Sequence, residues 1–131
     1  MVKLSMRNHN AWLLFADIDL AASIKNLQDD DFTLLPAAYH TQQAAEKALK
    51  AFLVFHKITV PKVHDLEFLV LQCSKIDNSF SLLQTLTALL TTYGTDSRYP
   101  DDYIELDRQQ VEDAIQKAKF IINFVKQRLT H

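Results

Sequence analysis

Apolar residues recur along this chain at three- and four-residue steps over most of its length, a spacing that predicts helix. The first helix spans about residues 9 to 28, with Trp12, Phe15, Ala16, Leu20 and Leu27 as its apolar stripe. Asp19 and Ser23 fall inside that stripe. The run "QDDD" at 28–31 ends it, because adjacent aspartates oppose the dipole at a helix C-terminus. The second helix runs from near Thr33 to near Lys57, with Pro36 admissible only in its first turn. Its apolar face holds Ala38, Ala45, Leu49, Phe52, Leu53 and His56. Ala44, Ala48, Ala51 and Phe55 form a second flank, where small residues invite close approach of another helix.

A third helix starts around His64-Asp65 and reaches about Lys75, carrying Leu66, Leu69, Val70 and Cys73 at helical spacing. The fourth opens at Asn78 or Ser79, both good caps, and carries Leu82, Leu83, Leu86, Leu89, Leu90 and Tyr93. Gly94 stands where a left-handed terminal residue is wanted. After the irregular segment "TDSRYPDDYIEL", Asp107 and Gln110 resemble a capping box, and an apolar series from Val111 to Leu129 follows. There is no repeat, linker or low-complexity tract. The expectation is all-α: an antiparallel up-and-down bundle of four to five helices in a single domain, residues 1–131.

Composition sharpens this picture. One glycine and three prolines among 131 residues leave little room for hairpin turns. Cys73, the only cysteine, excludes an internal disulfide and suits a reducing compartment. No apolar run approaches the roughly 18 residues of a membrane span, and the first ten residues lack a signal-peptide core. Cytoplasmic is the default expectation, with no membrane association. The net charge of −2 supplies no global attraction for nucleic acid, so RNA binding would need a local patch.

Several side chains are candidates for chemistry. Asp19 in an apolar stripe needs a cation or donors, in a structural pair or as a site carboxylate. Gln42 falls in line with Ala38, Ala45 and Leu49. It reads either as an inter-helix hydrogen bond, with Asp19 as one candidate partner, or as a ligand contact. Gln43 points to solvent. Glu46 and Lys50 form an i, i+4 ion pair on the polar side, and Lys47, Lys50, Lys57 and Lys62 make a basic strip, either a solvated face or a phosphate-facing patch. His64-Asp65 opens a helix, and Asp65 alone is explained by the dipole. "SRYPDDY" sets Arg98 among Tyr99 and Tyr103. An arginine flanked by rings can hold phosphate by its fork and stack a base, or it can pair with Asp101 or Asp102. The five histidines include no i, i+4 pair, so no metal site and no cofactor is expected. Cys73 reads as a buried, inert thiol.

The segments "AAYHTQQAAEKALKAFLVFHKI", "VPKVHDLEFLV", "TDSRYPDDY" and "DAIQKAKFIINFVKQRL", in that order, resemble the HEPN domain family from about Trp12 to Leu129. The resemblance implies a small helical bundle that usually forms a homodimer. It also implies nucleotide or RNA binding and a minimal nucleotidyltransferase partner in toxin–antitoxin-like modules. Ribonucleases of the family carry a histidine a few residues after an arginine. Here Arg98 is followed by "YPDDYIEL", without histidine. Tyr103 stands at that spacing, and a tyrosine with its ordinary pKa of about 10 is a poor general base. The expectation is therefore a non-hydrolytic protein binding a nucleotide or RNA, a nucleotidyltransferase partner, or both. Arg98 and Lys47 would neutralise phosphate and Tyr99 would stack, with Gln42, His64 and Asp19 as further binding candidates. The alternatives are a ribonuclease toxin in which Tyr103 or His64 replaces the missing histidine beside Arg98, and a purely structural dimerisation module.

Overall fold

Helices α1 (His9–Asp29) and α2 (Leu34–Phe55) form an antiparallel pair whose direction is fixed by cross-contacts. In the computed structural model, which describes residues 5–29, 31–94 and 105–129, the His9 ring meets Phe55 and the Lys50 ammonium lies over Trp12. Lys47 pairs with Asp19, and the Ser23 hydroxyl donates to the Ala37 carbonyl. The Thr33 hydroxyl donates to Asn26. As numbers rise along α1 they fall along α2. Ala16, Ala44, Ala48 and Ala51 are fully buried, so the small-residue flank does let a helix approach closely. Asn8 caps α1 by accepting the Asn10 amide.

The chain then returns along α2. The short α3 (Leu66–Ser74) is capped by Asp65, whose carboxylate accepts the Glu67 and Phe68 amides. The fourth predicted helix begins instead as a 3-10 segment (Asn78–Leu83) capped by Asp77, and continues as α4 (Gln84–Thr91). Its apolar residues are only partly used. Leu83 and Leu90 are fully buried, while Leu82 and Leu89 face outward. Helix α5 (Arg108–Gln127) opens on the expected capping box, Asp107 with Gln110. Val111 and Ile115 pack against Leu34 and Ala37, and Phe124 meets Phe80, which rests on Phe52. Hence α1, α2, α4 and α5 run up, down, up and down around α2, with α3 laid beside the second half of α2. No strand occurs among the described residues.

Three local expectations are corrected. Phe15, assigned to the α1 stripe, is 43% exposed. His56, assigned to the apolar face of α2, is the exposed C-cap and meets Phe52 and Phe55 by ring edges. Gly94 does not take a left-handed conformation. Its lack of a side chain matters for space, since a Cβ there would stand 3.0 Å from Gln42 Cδ. The left-handed residue is Lys57, at φ 62°, just beyond α2. No helix among the described residues is long and apolar enough to cross a membrane.

Candidate functional site

The wide burial of α2 explains why its polar residues are informative. A helix packed on several sides has little room for a wet face, so each polar side chain must find a partner inside the bundle. Three groups result.

Asp19 of α1 is buried and lies between two residues of α2 two turns apart. Its Oδ1 is 2.8 Å from His40 Nδ1, and its Oδ2 accepts from Lys47 Nζ at 2.6 Å. The carboxylate in the apolar stripe therefore has its cation, as the desolvation cost requires.

Gln42 is 1% exposed. It is not the partner of Asp19, which its neighbours His40 and Lys47 occupy. Its Nε2 donates to the His64 carbonyl at 3.1 Å, and its Oε1 accepts from Gln43 Nε2 at 2.8 Å. Gln43 is thus half-buried and bonded rather than turned to solvent.

Glu46 lies one turn beyond Gln42. With Lys50 it was expected on the polar side, yet the two side chains are 3% and 5% exposed. Lys50 Nζ donates to Glu46 at 3.1 Å, and the Trp12 ring covers the ammonium at 5.7 Å. Both Glu46 oxygens also approach His64 Nδ1, at 3.0 and 3.2 Å. A carboxylate only accepts, so Nδ1 carries the proton in this contact and Nε2 is left open. The His64 side chain is 75% exposed. One helical turn, Gln42 to Glu46, therefore clips His64 twice, once by its backbone carbonyl and once by its ring.

The basic strip does not exist as a strip. Lys47 is held by Asp19 and Lys50 is buried on Glu46, which leaves Lys57 and Lys62 apart from them. Tyr93, beside Gly94, is pushed above the usual tyrosine range by burial, with Asp107 and Asp113 adding to it. Burial pushes the Cys73 thiol up to about 12, and its Sγ donates to the Leu49 carbonyl, as expected of an inert thiol. A shallow cleft of about 530 Å³ next to His64 is lined by Asp65, Glu67, Gln84, Ala88 and Thr91, and its two carboxylates repel anions. Among the described residues no group of three His, Cys, Asp or Glu side chains is placed to hold a metal ion.

The HEPN domain profile matches residues 9–128. The chain belongs to the HEPN domain family. It is similar to TT1696 from Thermus thermophilus, with TM-score 0.81 and 26% identity, covering 91% of this chain and 96% of that one. It is also similar to ST0689, an archaeal HEPN homologue, with TM-score 0.74 and 26% identity, covering 94% of this chain and 98% of that one. No curated protein matches significantly. Against this HEPN fold, the structure brings Gln42 together with His64 and Asp19 together with Lys47. Arg98, Tyr99 and Tyr103 lie outside the described residues. Glu46 was missed as a site residue because an i, i+4 pair with lysine is the usual mark of a solvated face. The available signal was its position one turn after Gln42, on the same side of the helix.

Proposed function

We propose that this HEPN protein binds the phosphate of a nucleotide or RNA without hydrolysing it, at His64 and the segment that follows Gly94. The observation that supports it is the clipped His64. Its ring is held by buried Glu46 and presents Nε2 to solvent, while Gln42, which holds its backbone, packs against Gly94. Gly94 is four residues from Arg98 and five from Tyr99 in sequence. In this reading Arg98 neutralises phosphate and Tyr99 stacks on a base. His64 meets the ligand through Nε2, and Lys47 contributes at the edge of its bond to Asp19. The protein acts as a homodimer, for which Leu14, Phe15 and Ile18 offer an exposed apolar patch within about 100° of α1, and it docks on a minimal nucleotidyltransferase. A toxin–antitoxin-like module is the setting proposed for that pair.

Binding of a fluorescent nucleotide or a short labelled RNA tests this. Arg98→Ala and His64→Ala are each expected to weaken binding at least tenfold, and the unaltered protein is expected to leave the RNA intact after long incubation. Unchanged affinity in both variants sinks the reading. Light scattering should give twice the 15.1 kDa chain mass, and Ile18→Glu should halve it.

A second reading is favoured by the same histidine. A buried carboxylate orienting Nδ1, with Nε2 free, is the arrangement of a general base. With Arg98 on phosphate, His64 could stand in for the histidine missing after Arg98. RNA cleavage abolished by both His64→Ala and Arg98→Ala would establish the enzyme and displace the non-hydrolytic reading.

A further inference from the structure

The cations that the α2 face leaves over converge elsewhere. Phe55 lies nine positions beyond Glu46, which holds the clipped histidine's ring, so this end of α2 is roughly 14 Å along the helix axis from it, with Lys62 two residues before His64 in sequence. There the segment before α1, the last turn of α2 and the following connection enclose a concavity of about 460 Å³. Arg7 lines it from the segment before α1, Lys57 and Lys62 line it from the connection, and no carboxylate does. Met6, Val54, Ile58 and Val60 supply aliphatic walls. Among the described residues none of the three cationic side chains has an ion pair, whereas Lys47 and Lys50 both do. A chain with net charge −2 thus gathers three positive charges around one concavity.

The walls are built rather than loose. Trp12 Nε1 donates to the Met6 carbonyl at 2.8 Å. The Ile58 amide reaches back to Leu53 at 3.0 Å, and the Lys57 amide to Val54 at 2.9 Å. A lysine after a helix C-terminus is usually explained by the dipole, but Lys62 lies within the connection and Arg7 precedes the α1 N-terminus, where the dipole opposes a cation, and both still line the concavity. Lys57 also holds its charge at φ 62°, a conformation glycine would adopt at lower cost.

We propose that this concavity is a binding site for an organic diphosphate, separate from the α2 face. Its volume falls within the range of small-molecule sites, about 300–1,000 Å³. Three converging cations match the charge of a diphosphate, with Arg7 able to grip it by two parallel donors. The aliphatic walls take an apolar body, and no aromatic ring lines the site to demand a stacked base.

Titrations followed by amide NMR of the full chain test this with three probes: inorganic pyrophosphate, isopentenyl diphosphate and ADP. At least one organic diphosphate is expected to bind tenfold or more tightly than pyrophosphate and to shift the amides of Arg7, Val54 and residues 57–62. The better of the two identifies an aliphatic or a nucleoside body. The combined variant Arg7→Gln, Lys57→Gly, Lys62→Gln should lose at least tenfold in affinity while its thermal midpoint holds or rises. In Arg98→Ala and His64→Ala the shifts that these probes cause at Arg7, Val54 and residues 57–62 should be those of the unaltered chain. The site is refuted if neither organic diphosphate exceeds pyrophosphate, or if the combined variant binds normally. Loss of those shifts in Arg98→Ala or His64→Ala would instead place the ligand on the α2 face. Failure of the nucleotide reading at His64 leaves these outcomes untouched.

Discussion

Glu46 Oε1 stands 3.0 Å from His64 Nδ1, and the two side chains differ in exposure as much as any pair here, 3% against 75%. A buried acid steadies a ring that reaches into water, and the two ends of this contact should respond very differently to substitution. Glu46→Gln leaves the Lys50 ammonium buried without its counter-charge and is expected to cost about 3–5 kcal/mol. His64→Ala removes a mostly exposed, screened group and should cost less than about 1 kcal/mol. Urea unfolding midpoints measure both. Adding Lys50→Met to Glu46→Gln should recover most of the loss, since it removes the stranded charge.

At Gly94, replacement by alanine would ordinarily stabilise by roughly 0.4–1 kcal/mol by restricting the unfolded chain. Here the new methyl meets Gln42 Cδ at 3.0 Å, and Gln42 is bonded on both sides and cannot yield. Gly94→Ala is therefore expected to destabilise by about 1 kcal/mol, in the range of modest overpacking. In a Gln42→Ala background the same change should become neutral or stabilising. Thermal midpoints of the four proteins decide it; equal effects in both backgrounds would refute the contact.

Cys73 carries a thiol pushed up to about 12 by burial. Since the folded value lies above the unfolded one, the neutral thiol's contribution is intact below the unfolded pKa of about 8.5 and is lost as pH climbs toward the folded value. Stability should accordingly fall between those limits, and Cys73→Ala, despite its cavity, should flatten that limb. A disulfide reagent at pH 8 should label Cys73 only at the rate of global opening.

Asp77 is shifted the opposite way. The Ser79 hydroxyl and then the Ser79 amide hold its carboxyl below the usual range, with Arg128 adding charge. Its contribution is present above the ordinary carboxylate value and lost as pH falls through the lowered one. Asp77→Asn should weaken the acid limb of stability while changing little at neutrality beyond the loss of a cap. The group is partly exposed, so solvent screening keeps the effect small. An unaltered profile below about pH 4 would contradict the assignment.

Lys57→Gly, taken alone, should raise stability by about 1 kcal/mol, because it relieves a left-handed conformation that a Cβ disfavours. A lower thermal midpoint would show that the lysine makes contacts offsetting that cost.

The architecture was legible in the sequence because the apolar series of α1, α2 and α5 repeat over five or more turns, long enough to fix face and direction. The motif segments around "HTQQAAEKALKAF" carried the family. Asp19 and Gln42 were legible as polar groups on buried faces. What each would touch was not, because partners come from other helices and spacing within one helix says nothing of them. Gln42 met a backbone carbonyl of the returning chain rather than Asp19. Lys50 failed for a related reason: its spacing from Glu46 is equally that of a surface pair, and only the packing of Trp12 and the following helices dries it. Gly94 was read from its backbone freedom, whereas its size is what the fold uses. Arg98, Tyr99 and Tyr103 remain sequence-level candidates.

The connection from His56 to His64 starts where α2 ends and is pinned again on α2, by Gln42 and Glu46. Both ends of this stretch are anchored to one rigid rod. Lengthening such a tether adds little closure entropy, about 0.6 kcal/mol per doubling, and shifts no helix. Ile58, Val60 and Lys62 ride on it. The fold thus separates a part that must be kept, the clip, from a part that can be re-cut. This stretch is where insertions, reporter peptides or altered ligand preference could be introduced while the bundle stays as it is.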